Sequence, residues 1–300
     1  MVRYIDDYKD RFGVEPICSV LPIAPSTYYE HKARQTDPTR RPPREQRDEA
    51  LCKEIRRVWS ENHEVYGAEK VWKQLNREGV EVARCTVERL MKTVGLGGAV
   101  RGPAKTYTTT PAVEAPSLPD RVNRQFVAER PNALWVADLT YIATWRGFAY
   151  AAFVIDVYAR MIVGWRVSTS LQTDIVLDAL EQAVYSRPTP AGLVHHSDHG
   201  SQYLSIRYTE RLGESGIEPS VGSVGDSYDN ALAESVIGLY KTEVIRRRGP
   251  WRNVDDVEYA TLNWVEWFNN RRLFGPIGHV PPIEYEEAYY RRQETLAVAA

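Results

Sequence analysis

The sequence predicts an α/β protein: a mixed five-stranded sheet with flanking helices, preceded by an all-helical region. Three observations predict it. Between residues 48 and 95 apolar positions recur at spacings of three and four, the period of helices that bury one face. At Asn132 the pattern switches to long runs of apolar, β-branched and aromatic residues, the composition of buried strands. From there the elements follow the order strand, strand, strand, helix, strand, helix, strand, helix.

The 300 residues, 43% hydrophobic and 26% charged, suffice for two or three folded units with a sizeable core. Cys18, Cys52 and Cys85 are far apart and form no CxxC pair. That argues against a disulfide framework and a thiolate zinc finger, and fits a reducing compartment. The opening MVRYIDDYKDRFG lacks a signal-peptide apolar core, and no run approaches the roughly 18 apolar residues of a membrane span. A soluble intracellular protein is expected. Net charge is -2, but its distribution is uneven: 14 Lys and Arg against 10 Asp and Glu over 51–130, then 15 against 21 over 131–300. A basic middle before an acidic region suits a DNA-contacting module ahead of a carboxylate-bearing enzyme core. Two ordinary domains differing by chance give the same balance.

Residues 1–45 read as short helical pieces and a linker. Pro25-Ser26 supplies a stop and an N-cap, and QTDPTRRPPREQR is rich in Pro and Arg. Residues 46–100 read as three helices. Leu51, Ile55 and Val58 stripe the first, Gly79 terminates the second, and Val87, Leu90, Met91 and Val94 line the third. Arg84, Arg89 and Lys92 then face outward. Three short helices with a basic last one outline a helix-turn-helix unit whose final helix enters the major groove. A plain three-helix bundle with a solvated charged face produces the same pattern. Residues 101–130, rich in Gly, Pro and Thr, read as a second linker that can lie along DNA through Arg101 and Lys105.

Within 131–248, LWVADLTYIAT, FAYAAFVIDVYA and MIVGWRVS read as an antiparallel meander. TDIVLDALEQAVYSR is an amphipathic helix with Thr173 as its cap; LVHHSD is a strand, SIRYTERLGESG a helix and IEPSVG a strand. GSVGDSYDN is a loop feeding the long helix ALAESVIGLYKTEVIRRR. This is the element order of a ribonuclease-H-like core. Residues 249–300 add the helix DDVEYATLNWVEWFNNRR and a Pro- and Tyr-containing tail, a C-terminal helical extension.

Three acids stand out by position. Asp138 lies inside an apolar strand, where an ionised carboxylate is costly unless compensated. Asp198 closes a strand, at the end where ligands collect in open α/β sheets. Glu234 rides a helix after a flexible loop, with Asn230 one turn before it and Lys241 two turns beyond on the same face. Singly, each has an ordinary explanation: an ion-paired Asp, a turn Asp, an exposed Glu favoured by the helix dipole. Jointly, a ribonuclease-H-like arrangement converges them on one site. Three carboxylates there would repel unless hard divalent cations were bound, and Mg2+ prefers such oxygen ligands. His195, His196 and His199 flank Asp198, but neighbouring residues on a strand alternate faces and chelate zinc poorly together. Roles beside the metal site or on DNA phosphates are expected for them.

LWVADLTYIAT, HHSDHGSQYLS and GDSYDNALAESVIGLYKTE together resemble the signature of retroviral-integrase-like DDE transposases, in particular the OrfB product of IS-three family insertion sequences. The 35 residues between Asp198 and Glu234, and the basic Lys241 seven positions after Glu234, match that family's spacing. YGAEKVWKQLNREGVEVARCTVERLMKTVGL is similar to its helix-turn-helix, and WVEWFNNRRLFGPIGHVPPIEYEEAYY to its C-terminal end. The resemblance implies Mg2+ (with Mn2+ as substitute) on Asp138, Asp198 and Glu234, and strand cleavage and transfer at insertion-sequence ends. It implies that Lys241 contacts terminal DNA near the scissile phosphate, and that Asn230 steadies Glu234 or touches DNA. It further implies double-stranded DNA as partner, a homodimer or larger assembly on DNA, and a nucleoid-associated protein of the bacterial cytoplasm. An upstream OrfA-type protein, fused by frameshift or separate, is a further implied partner; no sustained heptads mark a leucine zipper in this sequence. Two other readings stay open: a DNA-binding factor without catalysis, and a ribonuclease H acting on RNA–DNA hybrids.

Overall fold

Proline, read in the sequence as a breaker, opens helices in the first third of the chain. The computed structural model describes residues 1–100, 120–122, 125–222 and 230–299, so Arg101 and Lys105 lie outside the described residues. Helices α1 (Val2–Phe12), α2 (Val14–Val20) and α3 (Pro25–Thr36) enclose a small core of Ile5, Ile17, Cys18 and Tyr28. Pro25 is the first residue of α3 and Ala24 precedes it, so Ser26 lies inside the helix rather than capping it. Pro43 likewise opens α4 (Pro43–Glu61), and only a 3-10 turn at Pro38–Arg40 separates the two helices. The expected first linker is therefore mostly helical. In a first turn, proline has no intrahelical hydrogen bond to lose and its φ is already helical.

Helices α5 (Ala68–Arg77) and α6 (Arg84–Thr93) complete a three-helix unit with α4. Val87, Leu90 and Met91 are buried, Val94 is only partly so, and Arg84, Arg89 and Lys92 are exposed. Gly79, just past α5, has φ 83°, a left-handed value glycine adopts at little cost.

Strands β1 (Leu134–Thr144), β2 (Gly147–Asp156) and β3 (Ile162–Ser168) form the antiparallel meander. Helix α7 (Thr173–Ser186) crosses to β4 (Val194–Ser197), and α8 (Ile206–Glu214) leads to β5 (Glu218–Val221). The sheet order is β3-β2-β1-β4-β5, with β4 parallel to both neighbours. This is the ribonuclease-H-like core. Gln172, in extended conformation, rather than Thr173, occupies the cap position of α7, and its side chain makes no capping bond.

Period-two alternation splits the sheet residues between two layers. Trp135, Ala137, Ala152 and Val154 pack on α7 and α8. Gly164 of β3 permits close approach there: a Cβ would lie 2.0 Å from the Ala179 carbonyl oxygen of α7. Val136, Ile142, Phe153 and Ile155 face the other way, toward α9 (Ala231–Tyr240) and, further along the chain, α11 (Val254–Asn270). Between them α9 continues into a π-helical segment, Lys241–Ile245, and a last turn α10 (Arg246–Arg248). Helix α12 (Pro282–Ala299) is the last helix among the described residues. Among the described residues no helix is long and apolar enough to cross a membrane.

The second layer is continuous with the core of α4, α5 and α6. Trp267 Nε1 donates to Asn62 Oδ1 at 3.0 Å, and the Leu273 N–H donates to Tyr66 Oη at 2.7 Å. At its centre is a buried ion pair. Arg272 donates to Glu243 at 2.5 and 3.3 Å, and Glu243 also accepts from Trp264 Nε1 at 3.0 Å. Removing one partner strands the other charge, which costs about 3–5 kcal/mol. Glu243→Ala is expected to lose that much in denaturant unfolding, and a Glu243→Leu/Arg272→Met double variant to recover most of it. A loss below about 1 kcal/mol would contradict the central role given to the pair.

Candidate active site

The last paired register between β1 and β4 is Ala137 with Ser197. Asp138 and Asp198 come next on each strand, side by side where the parallel strands part. Beyond them β1 runs on to Thr144 while β4 has ended, which opens the sheet at the carboxyl end of β4. Asp138 Oδ1 accepts from the Leu139 N–H at 2.7 Å, and Asp198 Oδ1 from the Gly200 N–H at 3.2 Å. Any side chain at Gly200 would crowd this turn, because a Cβ would lie 3.0 Å from Asp198 Oδ1 and 3.4 Å from the Tyr203 ring.

Asp138 is half-buried and Asp198 exposed, yet protein crowding around the carboxyl groups dominates their electrostatics. Burial pushes the Asp138 carboxyl well above the usual carboxylate range, and the charges of Asp198 and Glu234 push it further. The Leu139 N–H and Lys241 oppose the rise. Burial also raises Asp198, against the Gly200 N–H, His199 and His196.

Glu234 is exposed in the first turn of α9. Its charge reaches Asp138, but among the described residues no three His, Cys, Asp or Glu side chains are gathered closely enough to hold a metal ion. The structure thus joins two of the three predicted acids and leaves the third at charge distance, as mutual repulsion favours. Asn230 is buried at the start of α9, where its Nδ2 donates to the Ala137 carbonyl at 2.9 Å. It pins α9 to β1 beside Asp138. Lys241 starts the π-helical segment, with Nζ 5.4 Å from the Tyr141 ring centroid. Burial lowers its pKa while Asp138 raises it.

Among the helix-turn-helix cations, Arg89 is held by Asp48 at 2.9 and 3.0 Å. Arg84 and Lys92 make no ion pair among the described residues. Two of the three histidines differ from expectation. His195 and His196 are 1% and 0% exposed, so neither can reach a DNA phosphate. They alternate faces as strand residues must: His195 Nε2 pairs with Tyr208 Oη at 3.0 Å and His196 Nδ1 with Ser220 Oγ at 2.9 Å. Burial lowers the pKa of His195 to about 3, which keeps it neutral.

Tyr203 escaped the sequence reading, where its sole signal was an aromatic residue in an otherwise polar turn after Asp198. It is 2% exposed, and its hydroxyl, like His199 Nδ1 and Asn230 Oδ1, is buried without a hydrogen-bond partner among the described residues. All-oxygen donors with raised carboxyls, ringed by unsatisfied polar groups, fit a hard divalent cation.

The raised carboxyl of Asp138 fixes a sign for stability. The native state binds this proton more tightly than the unfolded chain, so stability falls as pH rises above the ordinary carboxylate value of about 4. Asp138→Asn is expected to raise the Tm of the metal-free protein at neutral pH. The gain should fade as pH falls toward that value. Thermal unfolding in chelator tests this, and an unchanged or lowered Tm at neutral pH would refute it.

Comparison with known proteins extends the geometry. The family described as Integrase core domain matches residues 128–227 and, in a second form, 215–282; HTH-like domain matches 45–104. The chain is 58% identical to the transposase for insertion sequence element IS629 of Shigella sonnei, covering 97% of both proteins. It is 33% identical to the transposase for insertion sequence element IS904 of Lactococcus lactis, over 83% of this chain and 98% of that one. Among solved structures, the HTLV-2 integrase catalytic core domain in complex with magnesium is similar at 16% identity and TM-score 0.43, covering 53% of this chain and 99% of that one. Such likeness to the Shigella protein over nearly the whole chain means that this protein belongs to the insertion-sequence transposases of the IS-three family, polynucleotidyl transferases with an integrase core.

Proposed function

We propose that Asp138, Asp198 and Glu234 are the catalytic acids of this transposase and hold Mg2+, with Mn2+ as a substitute, during strand cleavage and strand transfer at insertion-sequence ends. The observation that carries the reading is the side-by-side placement of Asp138 and Asp198 at the parting of β1 and β4, with both carboxyls raised. Asp138, Asp198 and Glu234 would hold the cations, which would supply Lewis-acid activation of the attacking hydroxyl and stabilisation of the leaving oxygen. The two aspartates present oxygen donors from a rigid sheet. Glu234 brings the third from α9, whose distance from β1 is set by the Asn230 bond to Ala137. In cleavage, a water oxygen forms the new P–O bond and the bond to the departing 3′-oxygen breaks. In transfer, the freed 3′-hydroxyl oxygen forms a P–O bond at a target phosphodiester while that phosphorus loses its bond to the target strand's own 3′-oxygen, and the hydroxyl proton passes to water. Lys241, partly desolvated and beside Asp138, offers its ammonium to the terminal DNA near the scissile phosphate.

In this reading residues 46–100 are the DNA-binding helix-turn-helix, 131–248 the catalytic core and 249–300 its extension. Segments 1–45 and 101–130 flank and join them, with Arg101 and Lys105 on phosphates. Arg84, Arg89 and Lys92 face the duplex from α6. Two ends must be processed together, which calls for a homodimer or larger assembly on double-stranded DNA, working with an upstream OrfA-type protein in the nucleoid of the bacterial cytoplasm.

Asp138→Asn, Asp198→Asn and Glu234→Gln are each expected to lose strand transfer by roughly a thousandfold or more, the equivalent of several kcal/mol of charge stabilisation, with duplex binding retained. A wild-type rate in any one would remove that acid from the trio. Arg84→Ala and Lys92→Ala should each flatten the log–log salt dependence of duplex binding by about 0.9, one phosphate contact. Arg89→Ala should flatten it less, because Asp48 already holds that side chain. Unchanged slopes for Arg84 and Lys92 would favour a plain helical bundle.

A further inference from the structure

Among the described residues, buried tyrosine hydroxyls have partners, with one exception. Tyr28 bonds to Asp6 at 2.8 Å, Tyr66 to the Leu273 N–H at 2.7 Å, Tyr208 to His195 at 3.0 Å and Tyr240 to Thr261 at 2.7 Å. Tyr203 is as buried as these, and its hydroxyl has none among the described residues. A buried, unpaired hydroxyl costs free energy that folding alone gives no reason to spend.

Its surroundings say where the hydroxyl is useful. The Tyr203 N–H donates to the Gly200 carbonyl at 3.0 Å, and its ring packs edge-on against Tyr208 at 5.4 Å. Tyr208 is itself anchored on His195 of β4. The ring therefore has little freedom. The Tyr203 ring and the Asp198 carboxylate flank the same point above Gly200, 3.4 and 3.0 Å from where a Cβ would stand. Burial first, then Tyr208, Asp138 and Asp198, hold the proton on the phenol, so the group acts as a donor.

We propose that Tyr203 is a positioning residue whose hydroxyl donates a hydrogen bond to an oxygen held between Asp138 and Asp198, either a water on the bound cation or a non-bridging phosphate oxygen of DNA. The proposal rests on the acid-site reading above and adds a fixed neutral donor to a site whose candidate metal ligands are all acceptors. A fixed donor of this kind orients the oxygen it holds and raises affinity for the cation that carries it.

Tyr203→Phe removes the hydroxyl alone. In chelator, the variant should melt at or above the wild-type Tm, because no bond is lost. Calorimetric titration with Mn2+, first without DNA and then with a double-stranded DNA fragment, should show about 10–100-fold weaker binding in the variant. A loss already present with Mn2+ alone assigns the hydroxyl to a cation-bound water; a loss seen only with DNA assigns it to a phosphate oxygen. Equal affinities in both arms, or a lowered metal-free Tm, overturn the proposal in favour of a packing role. Asp138→Asn separates the two levels. If it binds Mn2+ like wild type, the acid-site reading fails and the proposal falls with it. If it loses Mn2+ while Tyr203→Phe does not, the failure belongs to Tyr203 alone.

Discussion

One buried ion pair, Glu243 with Arg272, is the joint on which the architecture closes. Desolvating two charges is expensive, and here the cost is offset by their mutual attraction, by the Trp264 N–H, and by aromatic rings 5.2–5.8 Å from the Arg272 guanidinium. Glu243 lies in the π-helical segment directly after α9, and Arg272 just beyond α11. The pair thus fastens the helix bearing Glu234 and Lys241 to the C-terminal helices. The widened π turn lets Lys241 face Tyr141 and the acids while Glu243, two residues on, points into the core. An ordinary α turn would turn these two side chains by a different angle. The outward lysine and the inward glutamate are two products of one local distortion.

The acid site follows a different economy. Asp138 sits where loss of solvent and neighbouring negative charge both disfavour its ionised form. Asn230 spends a buried amide on a strand carbonyl and leaves its own oxygen unsatisfied. Tyr203 and His199 bury polar atoms without partners. Similar unpartnered buried atoms occur on Arg187, Arg272 and His279, but three of the six among the described residues, those of Asn230, His199 and Tyr203, lie near the two aspartates. Raised carboxyls beside unpartnered polar atoms are what a site for a charged ligand requires, at a cost to the stability of the ligand-free protein.

Much of this was legible in the sequence. The apolar runs after Asn132 could only be strands, their order gave the mixed sheet, and strand alternation placed His195 and His196 on opposite faces. The pair Asp138 and Asp198 followed from their positions on adjacent strands. What escaped depended on contacts between residues far apart in sequence. Nothing local in Tyr203 says that its hydroxyl is orphaned, and nothing in the Asn-x-Arg-Arg stretch at 269–272 says that Arg272 turns inward to Glu243. The prolines at 25 and 43 misled because a breaker and a first-turn residue look alike until the helix after them is seen. The place of Glu234 on the helix after the loop was legible, but its distance from the aspartates depends on how α9 lies against β1, which no spacing encodes.

The core shared by α4–α6, the sheet and the C-terminal helices has an evolutionary meaning. Asn62, Tyr66 and Arg77 meet Trp267, Leu273 and Glu284 across sequence separations of more than 200 residues. Modules joined only by a tether can be traded between genes, each bringing its own finished surface. A front end that seals the back of its neighbour's core cannot be exchanged without opening an apolar wound. Change in either part must then be matched in the other, so the two are inherited as one piece and drift together.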